Sequence, residues 1–201
     1  VGPIDDAGGS LVNFLSLLHE QYGVDEVDLI GHSMGGKVAM QFALIFPERV
    51  KKLVVVDMAP RAYKRVHDPI FKALLALDLS SFQTRQQIEG ALEPEIPSIN
   101  LRRFLLKNLG RDEQGGFFWR MNLSGVADNY VVLGKALAVP QHFEGPTLFV
   151  CGGKSDYVNQ SDQEEILRFF PKAKIQTITT AGHWVHADAP DEFLSDVMNF
   201  L

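Results

Sequence analysis

One serine in this sequence stands in a setting that favours nucleophilic chemistry. Ser33 lies within GHSMG, residues 31–35, a G-x-S-x-G pattern between a predicted strand and a predicted helix. In such a turn the hydroxyl is raised above the sheet, and the flanking glycines allow close backbone approach. The Met34 backbone N–H and the positive end of the following helix would face a developing oxyanion. We therefore predict Ser33 as a nucleophile and Met34 as an oxyanion donor.

A glycine-rich turn between strand and helix is also compatible with phosphate binding. A phosphate loop, however, is completed by a lysine followed directly by serine or threonine. In this motif Val38 follows Lys37. The pattern therefore favours the nucleophile.

A serine hydroxyl needs a base to take its proton, and the chain order serine, acid, histidine places that base late in the sequence. The segment GHWVH, residues 182–186, supplies His183 and His186. His183 follows a predicted strand, Ile175–Thr179, and its loop, whereas His186 lies further on, towards the last helix. Loop placement favours His183 as the base and His186 as a neighbour of the catalytic residues.

The third member of such a site is a carboxylate that holds the imidazole in the right tautomer. Asp57 ends the apolar run Leu53–Val56, and Asp156 follows the strand predicted at Leu148–Cys151. Both lie where ligands bind in parallel sheets, so position alone leaves the two open. Three neighbours of these residues in the motifs are predicted to contact the substrate: His32, Ser155 and Trp184.

The elements that must position these residues alternate between strand and helix. Helical spacing of apolar residues predicts a first helix over Ser10–Tyr22, closed by Gly23, and Pro190 opens a last helix. Apolar runs such as Leu53–Val56 are typical of parallel strands covered on both faces. Further strands are predicted at Val27–Ile30, Leu148–Cys151 and Ile175–Thr179. The sequence therefore predicts an α/β fold with a mostly parallel sheet.

Strand-like runs vanish between about residues 60 and 143, where helical patterns are expected at 71–77, 83–92 and 101–109. We interpret residues 60–143 as a helical cap inserted into a core of residues 1–59 and 144–201, because so long an excursion is usually a lid or binding surface. Its apolar residues would favour acyl groups over sugars or phosphates. These residues are Phe71, Leu74, Leu75, Phe104, Leu105, Phe117, Phe118 and Trp119.

Composition bounds the class of protein. The 201 residues are 46% hydrophobic and carry a net charge of −6, so nucleic acid and membrane surfaces are not expected as partners. Cys151 is the single cysteine, and no stretch of the sequence resembles a signal peptide or a membrane span. This predicts a cytoplasmic protein, or a protein of an organelle matrix if a targeting segment has been lost. The sequence does not predict the oligomeric state.

Taken together, GHSMGG, LVVVDMAP, GGKSDYV and GHWVHADAP resemble the α/β-hydrolase superfamily, and within it the small bacterial esterases of the YbfF type and their eukaryotic relatives. The resemblance covers nearly the whole chain and implies Asp57 as the acid, with Asp156 as the alternative. Family members carry further strands and a histidine-glycine motif before the first helix. Residues 1–30 match neither, so we expect the second oxyanion donor to be absent from this chain and the Val27–Ile30 strand to have an unpaired edge.

The resulting expectation is a serine hydrolase of carboxylic esters or thioesters that needs no metal or cofactor, with Ser33, His183 and Asp57 as its triad. Two alternatives come from other classes of activity. One is a binding protein that keeps the pocket without turnover, because a fold does not fix a function. The other is a perhydrolase or lactonase.

Overall fold

The computed structural model describes residues 3–201, with side chains from residue 11 onward, and the chain divides into two compact units. The first contains the chain up to Tyr63 and from Val132 onward, and the second is Lys64–Val131. The predicted cap, residues 60–143, is longer at both ends than the second unit. No helix among the described residues is long and apolar enough to span a bilayer.

Helices and strands follow one another as the sequence predicts for most of the chain. In order they are α1 (Pro3–Tyr22), β1 (Val27–His32), α2 (Met34–Ile45), β2 (Val50–Val56), α3 (Asp68–Leu75), α4 (Arg85–Ala91), α5 (Ile99–Leu105), β3 (Leu109–Arg111), β4 (Phe117–Trp119), α6 (Leu123–Asp128), α7 (Tyr130–Leu133), β5 (Thr147–Gly152), α8 (Gln163–Phe169), β6 (Ala173–Ile178), α9 (Val185–Asp188) and α10 (Pro190–Phe200). Gly23, after α1, has the positive φ of 67° expected of a residue that closes a helix.

The first unit contains a four-stranded parallel sheet in the order β1-β2-β5-β6, which confirms the predicted α/β fold. Parallel strands end at the same edge of a sheet. The exits of all four strands therefore bring their following loops together, although these loops are far apart in sequence.

The second half of strand β2, Leu53–Val56, is a continuous apolar run because its alternate residues face two buried clusters. Leu53 and Val55 belong to a buried cluster with residues of α1, α2 and α8, whereas Val54 and Val56 belong to a second cluster with residues of α9 and α10. Because helices cover both faces here, all four positions from Leu53 to Val56 are buried. The strand is thereby packed on both faces, and Asp57, the residue that follows it, is attached to a rigid part of the fold.

Strand β1 forms one edge of this sheet. It runs parallel to β2, with Ile30 opposite Val54 and a register shift between Val27 and Asp28. None of the described residues pairs with its outer side. Ile30 is 53% exposed. The unpaired edge expected at this strand is present in the described part of the chain.

The second unit has its own apolar core, built from α3, α4, α5 and the start of α6. The expectation that strands vanish from this region is wrong, because β3 and β4 form an antiparallel pair. Each strand has three residues, which is too short for alternation to be visible in the sequence. Next to β4 lies a cavity of about 530 Å³, lined mainly by leucine and aromatic side chains, among them Leu74, Phe118 and Trp119.

The turn from β1 into α2 is packed backbone against backbone. A Cβ atom on Gly31 would lie 2.4 Å from the Gly35 carbonyl oxygen, whereas a Cβ on Gly35 would have no atom within 4 Å. The two glycines thus have different reasons to be present. Gly31 permits the close approach, and Gly35 points into open space.

These two glycines make a matched pair for a stability measurement. We expect Gly31→Ala to lower the free energy of unfolding by about 1–3 kcal/mol, because backbone cannot move aside as a flexible side chain does. Gly35→Ala should leave it unchanged or slightly raised, since alanine favours helix. Urea unfolding of both variants checks this, and equal midpoints would contradict the tight turn.

Candidate active site

Ser33 stands at the junction of β1 and α2 in a conformation that is rare for a residue with a side chain. Its φ is 55° and its ψ is −126°. The Ser33 N–H donates to the Val56 carbonyl at 3.2 Å, so the neighbouring strand holds the turn. Met34 is the first residue of α2, and its backbone N–H therefore has no partner within the helix. The local fold thus places a hydroxyl and a free N–H side by side.

Asp57 occupies the equivalent place after β2. Its φ is 47°, and its N–H donates to the Val150 carbonyl at 2.9 Å on the adjacent strand. Ser33 and Asp57 are the only non-glycine residues with positive φ in the described chain. Strained backbone of this kind costs free energy and clusters at functional sites, where surrounding structure maintains it. Both strained positions coincide with residues that the sequence singles out.

The carboxylate of Asp57 is fully buried and receives hydrogen bonds from three donors. The Gly152 N–H donates to Oδ1 at 3.0 Å, and the Ser155 hydroxyl donates to Oδ2 at 2.5 Å. His183 Nδ1 lies 2.7 Å from the same Oδ2. Because an ionised carboxylate only accepts, we assign the proton of this bond to Nδ1. The second ring nitrogen, Nε2, then carries a lone pair.

Two further side chains hold the His183 ring and backbone. The Tyr157 ring stacks on the imidazole with centroids 3.8 Å apart and planes inclined by 19°. The His32 Nε2–H donates to the His183 carbonyl at 2.8 Å. Burial is the main cause that lowers the pKa of His32 below its ordinary 6.5, and the His183 carbonyl opposes that shift. His32 is therefore a neutral hydrogen-bond donor at neutral pH.

The sequence left His186 as an alternative base and Asp156 as an alternative acid, and neither takes part in the contact between His183 and Asp57. His186, on α9, is exposed, and its ring is 5.0 Å from that of His32. Asp156 is exposed, and its carboxylate accepts no hydrogen bond from the described residues. Trp184, next to His183, is half-buried. Among the described residues, the carboxylate that the structure brings to His183 is that of Asp57.

The sequence predicts some of the residues that surround this pair, but not their roles. It placed His32 and Ser155 in the site as substrate contacts, but the structure shows the Nε2–H of one and the hydroxyl of the other engaged with His183 and Asp57. Tyr157 carried no signal beyond its place in GGKSDYV. Cys151 is not a competing nucleophile, because burial raises the pKa of its thiol to about 12.

The parallel sheet, the strained serine turn and the histidine loop together define the class of fold. A model of the alpha/beta hydrolase family matches residues 2–196, and the chain belongs to that family. The resemblance drawn from the four motifs is thereby confirmed.

Curated relatives place the chain within the family. It is 42% identical over 191 residues to the mouse sn-1-specific diacylglycerol lipase ABHD11, a match covering 90% of this chain and 61% of the relative. It is 37% identical over 179 residues to the esterase YbfF of Escherichia coli, a match covering 89% of this chain and 68% of the relative. The chain therefore spans about three fifths to two thirds of the length of these proteins.

Solved structures agree with these matches. A marine microorganism esterase superposes with a TM-score of 0.88 at 37% identity, over 96% of this chain and 77% of that one. E-2-(acetamidomethylene)succinate hydrolase superposes with a TM-score of 0.70 at 20% identity, over 98% of this chain and 73% of that one, which speaks for the fold alone.

The lowered pKa of His32 predicts how stability depends on pH. Because this pKa is lower in the folded protein than its ordinary 6.5, the unfolded chain takes up the proton first as pH falls. Stability is therefore lost below about pH 6.5. We expect His32→Gln, whose amide donates without titrating, to flatten the fall in unfolding free energy between about pH 7 and 5. Urea unfolding at several pH values tests this, and parallel curves for variant and wild type would refute it.

Proposed function

We propose that this protein is a serine hydrolase of carboxylic esters or thioesters, with Ser33 as nucleophile, His183 as general base and Asp57 as the orienting acid. The observation that carries the proposal is the 2.7 Å contact between His183 Nδ1 and the buried Asp57 carboxylate. It leaves Nε2 as the nitrogen that accepts a proton, which is the state a general base requires. The strained serine turn at the neighbouring strand exit supports the nucleophile.

In the proposed acylation step, His183 Nε2 takes the proton of the Ser33 hydroxyl while the serine oxygen bonds to the acyl carbon. The carbonyl oxygen gains the negative charge, and the Met34 N–H donates to it. Collapse of this intermediate breaks the bond to the alcohol or thiol, which leaves with the proton from His183. The Asp57 carboxylate stabilises the imidazolium throughout.

Deacylation repeats these steps with water. His183 Nε2 takes a proton from a water molecule while the water oxygen bonds to the acyl carbon. The bond between the acyl carbon and the Ser33 oxygen then breaks, His183 returns the proton to the Ser33 oxygen, and the carboxylic acid departs. Every proton is passed by a group of this chain, so the proposed steps use no metal or cofactor.

The proposed substrate class rests on the relatives. The matched proteins include an esterase and a lipase, which supports an acyl ester as substrate here. Most of the apolar residues that the sequence assigned to acyl recognition pack in the core of the second unit, although Phe118 and Leu75 are 44% and 49% exposed. A cytoplasmic location stays a prediction of the sequence.

The nucleophile is tested by Ser33→Ala, compared with the wild type on a short p-nitrophenyl ester. We expect a loss of about 10³-fold or more in kcat, because removing a triad nucleophile removes nearly all of the chemical step. Ser161→Ala, which changes an exposed serine, serves as the control and should keep wild-type activity.

A fluorophosphonate probe supplies a second measurement on the same variants, since an activated serine displaces fluoride and becomes labelled. The wild type should be labelled on Ser33, and Ser33→Ala should not be labelled. An unlabelled wild type would favour the binding protein without turnover, and a Ser33→Ala variant with more than about a tenth of wild-type activity would exclude this nucleophile.

A further inference from the structure

Lys37 is a buried cation that the proposed chemistry does not use. Its side chain is 2% exposed, which is unusual for lysine unless partners satisfy the ammonium. Burial is the main cause that lowers its pKa to about 8, while the nearby Glu165 opposes that shift. An apolar side chain of similar length would fill this space without the cost of burying a charge. The presence of a lysine therefore calls for an explanation in its bonds.

The ammonium of Lys37 donates to three backbone carbonyls. They belong to Pro60 at 2.8 Å, Arg61 at 2.5 Å and Lys135 at 2.7 Å. An ammonium has three N–H groups, so all its donors are used. Lys37 itself lies one helical turn after Ser33, and its backbone N–H donates to the Ser33 carbonyl at 3.3 Å. One side chain thus connects the serine helix with the chain that leaves Asp57.

The two acceptor segments also pair with each other. The Tyr63 N–H donates to the Gly134 carbonyl at 2.8 Å, and the Leu137 N–H donates to the Pro60 carbonyl at 2.9 Å. Residues 60–63 and 134–137 are therefore two hydrogen-bonded segments, and the Lys37 ammonium connects both of them to α2.

Arg61 and Tyr63, in the first of these two segments, donate hydrogen bonds to the loop that carries Tyr157. The Arg61 guanidinium donates to the Asp156 carbonyl at 3.1 Å and to the Tyr157 carbonyl at 3.2 Å, and its Nε lies 2.9 Å from the buried Asp162 carboxylate. The Tyr63 hydroxyl donates to the Tyr157 carbonyl at 2.5 Å and accepts from the Ala59 N–H at 2.8 Å. Tyr157 is the residue whose ring stacks on the His183 imidazole.

We propose that Lys37 is a positioning residue. Its three hydrogen bonds hold α2, which follows Ser33, against the residues that follow Asp57. Through Arg61 and Tyr63 they also hold Tyr157, whose ring stacks on the His183 imidazole. The inference rests on the proposed function. Lys37 does not touch the reacting atoms; it acts through the backbone at residues 60–61 and 135. Its loss should therefore alter the geometry of the triad while leaving the nucleophile, base and acid in the chain.

The direct test is Lys37→Met, with Lys51→Met as the matched control on an exposed lysine of β2. We expect kcat on a p-nitrophenyl ester to fall about 10- to 100-fold with little change in KM, because small misplacements of reacting groups have effects of this size. The rate of fluorophosphonate labelling of Ser33 should fall by a similar factor. Lys51→Met should match the wild type in both measurements.

A double-mutant cycle with Asp57→Asn distinguishes positioning from an unrelated loss. If Lys37 acts through the acid and its neighbours, the labelling rate of the double variant should be close to that of Asp57→Asn alone. Two losses that simply multiply would overturn the proposal. Should Lys37→Met be too unstable to purify, Lys37→Gln keeps two donors and should show a smaller loss in kcat.

Wild-type kcat in either folded Lys37 variant also overturns the proposal. Different results would refute the role proposed for Lys37 and the proposed function. An active Ser33→Ala variant refutes the function itself. An inactive Ser33→Ala variant together with an unchanged Lys37→Met variant refutes only the positioning role.

Discussion

The Asp57 carboxylate is fully buried, and a buried charge is stable only when surrounding donors satisfy its oxygens. The donors here are the Gly152 N–H, the Ser155 hydroxyl and the His183 ring. They come from the exits of two other strands, so the arrangement requires β2, β5 and β6 to end at one edge in this order. The positive φ of Asp57 directs its side chain into that meeting point. The burial of this one group thus depends on the sheet topology, the backbone conformation at Asp57 and the orientation of the histidine together.

This arrangement explains why the site is built on strand exits and not on flexible loops. The Ser33 and Asp57 N–H groups both donate to carbonyls of adjacent strands, which continue the hydrogen bonding of the sheet into the site. Helices cover the sheet on both faces, so the strands cannot shift without disturbing two buried clusters. A rigid support of this kind fixes the direction of the imidazole before a substrate arrives. That is the condition under which a general base works efficiently.

Much of the fold can be predicted from the sequence, because apolar runs and the helical spacing of apolar residues reflect which side chains are buried. The four core strands are predictable for that reason, as are α1, α2, α10 and the turn at GHSMG, whereas α8 and the short α9 are not among the predicted helices. Pairings between distant residues are not predictable, because side-chain direction at a strand exit depends on φ values that no residue pattern reveals. Position at a strand exit therefore leaves Asp57 and Asp156 open, and only the motif resemblance favours Asp57. In the structure Asp57 is buried and Asp156 is exposed. The short β3–β4 pair was missed because three residues show no period. Lys37 was passed over because a lysine in a helix is usually exposed.

Whether Asp57 orients His183 can be measured by comparing kcat of Asp57→Asn and Asp156→Asn on one ester substrate. An amide at position 57 presents a donor or a weaker acceptor to Nδ1, so the imidazole no longer keeps its lone pair at Nε2, and we expect a loss of about 10⁴-fold in kcat. Asp156 is exposed and its carboxylate accepts no hydrogen bond from the described residues, so its amide variant should remain close to wild type. The reverse ranking, measured on variants of equal stability, would show that Asp57 does not orient His183 and would assign that role to Asp156.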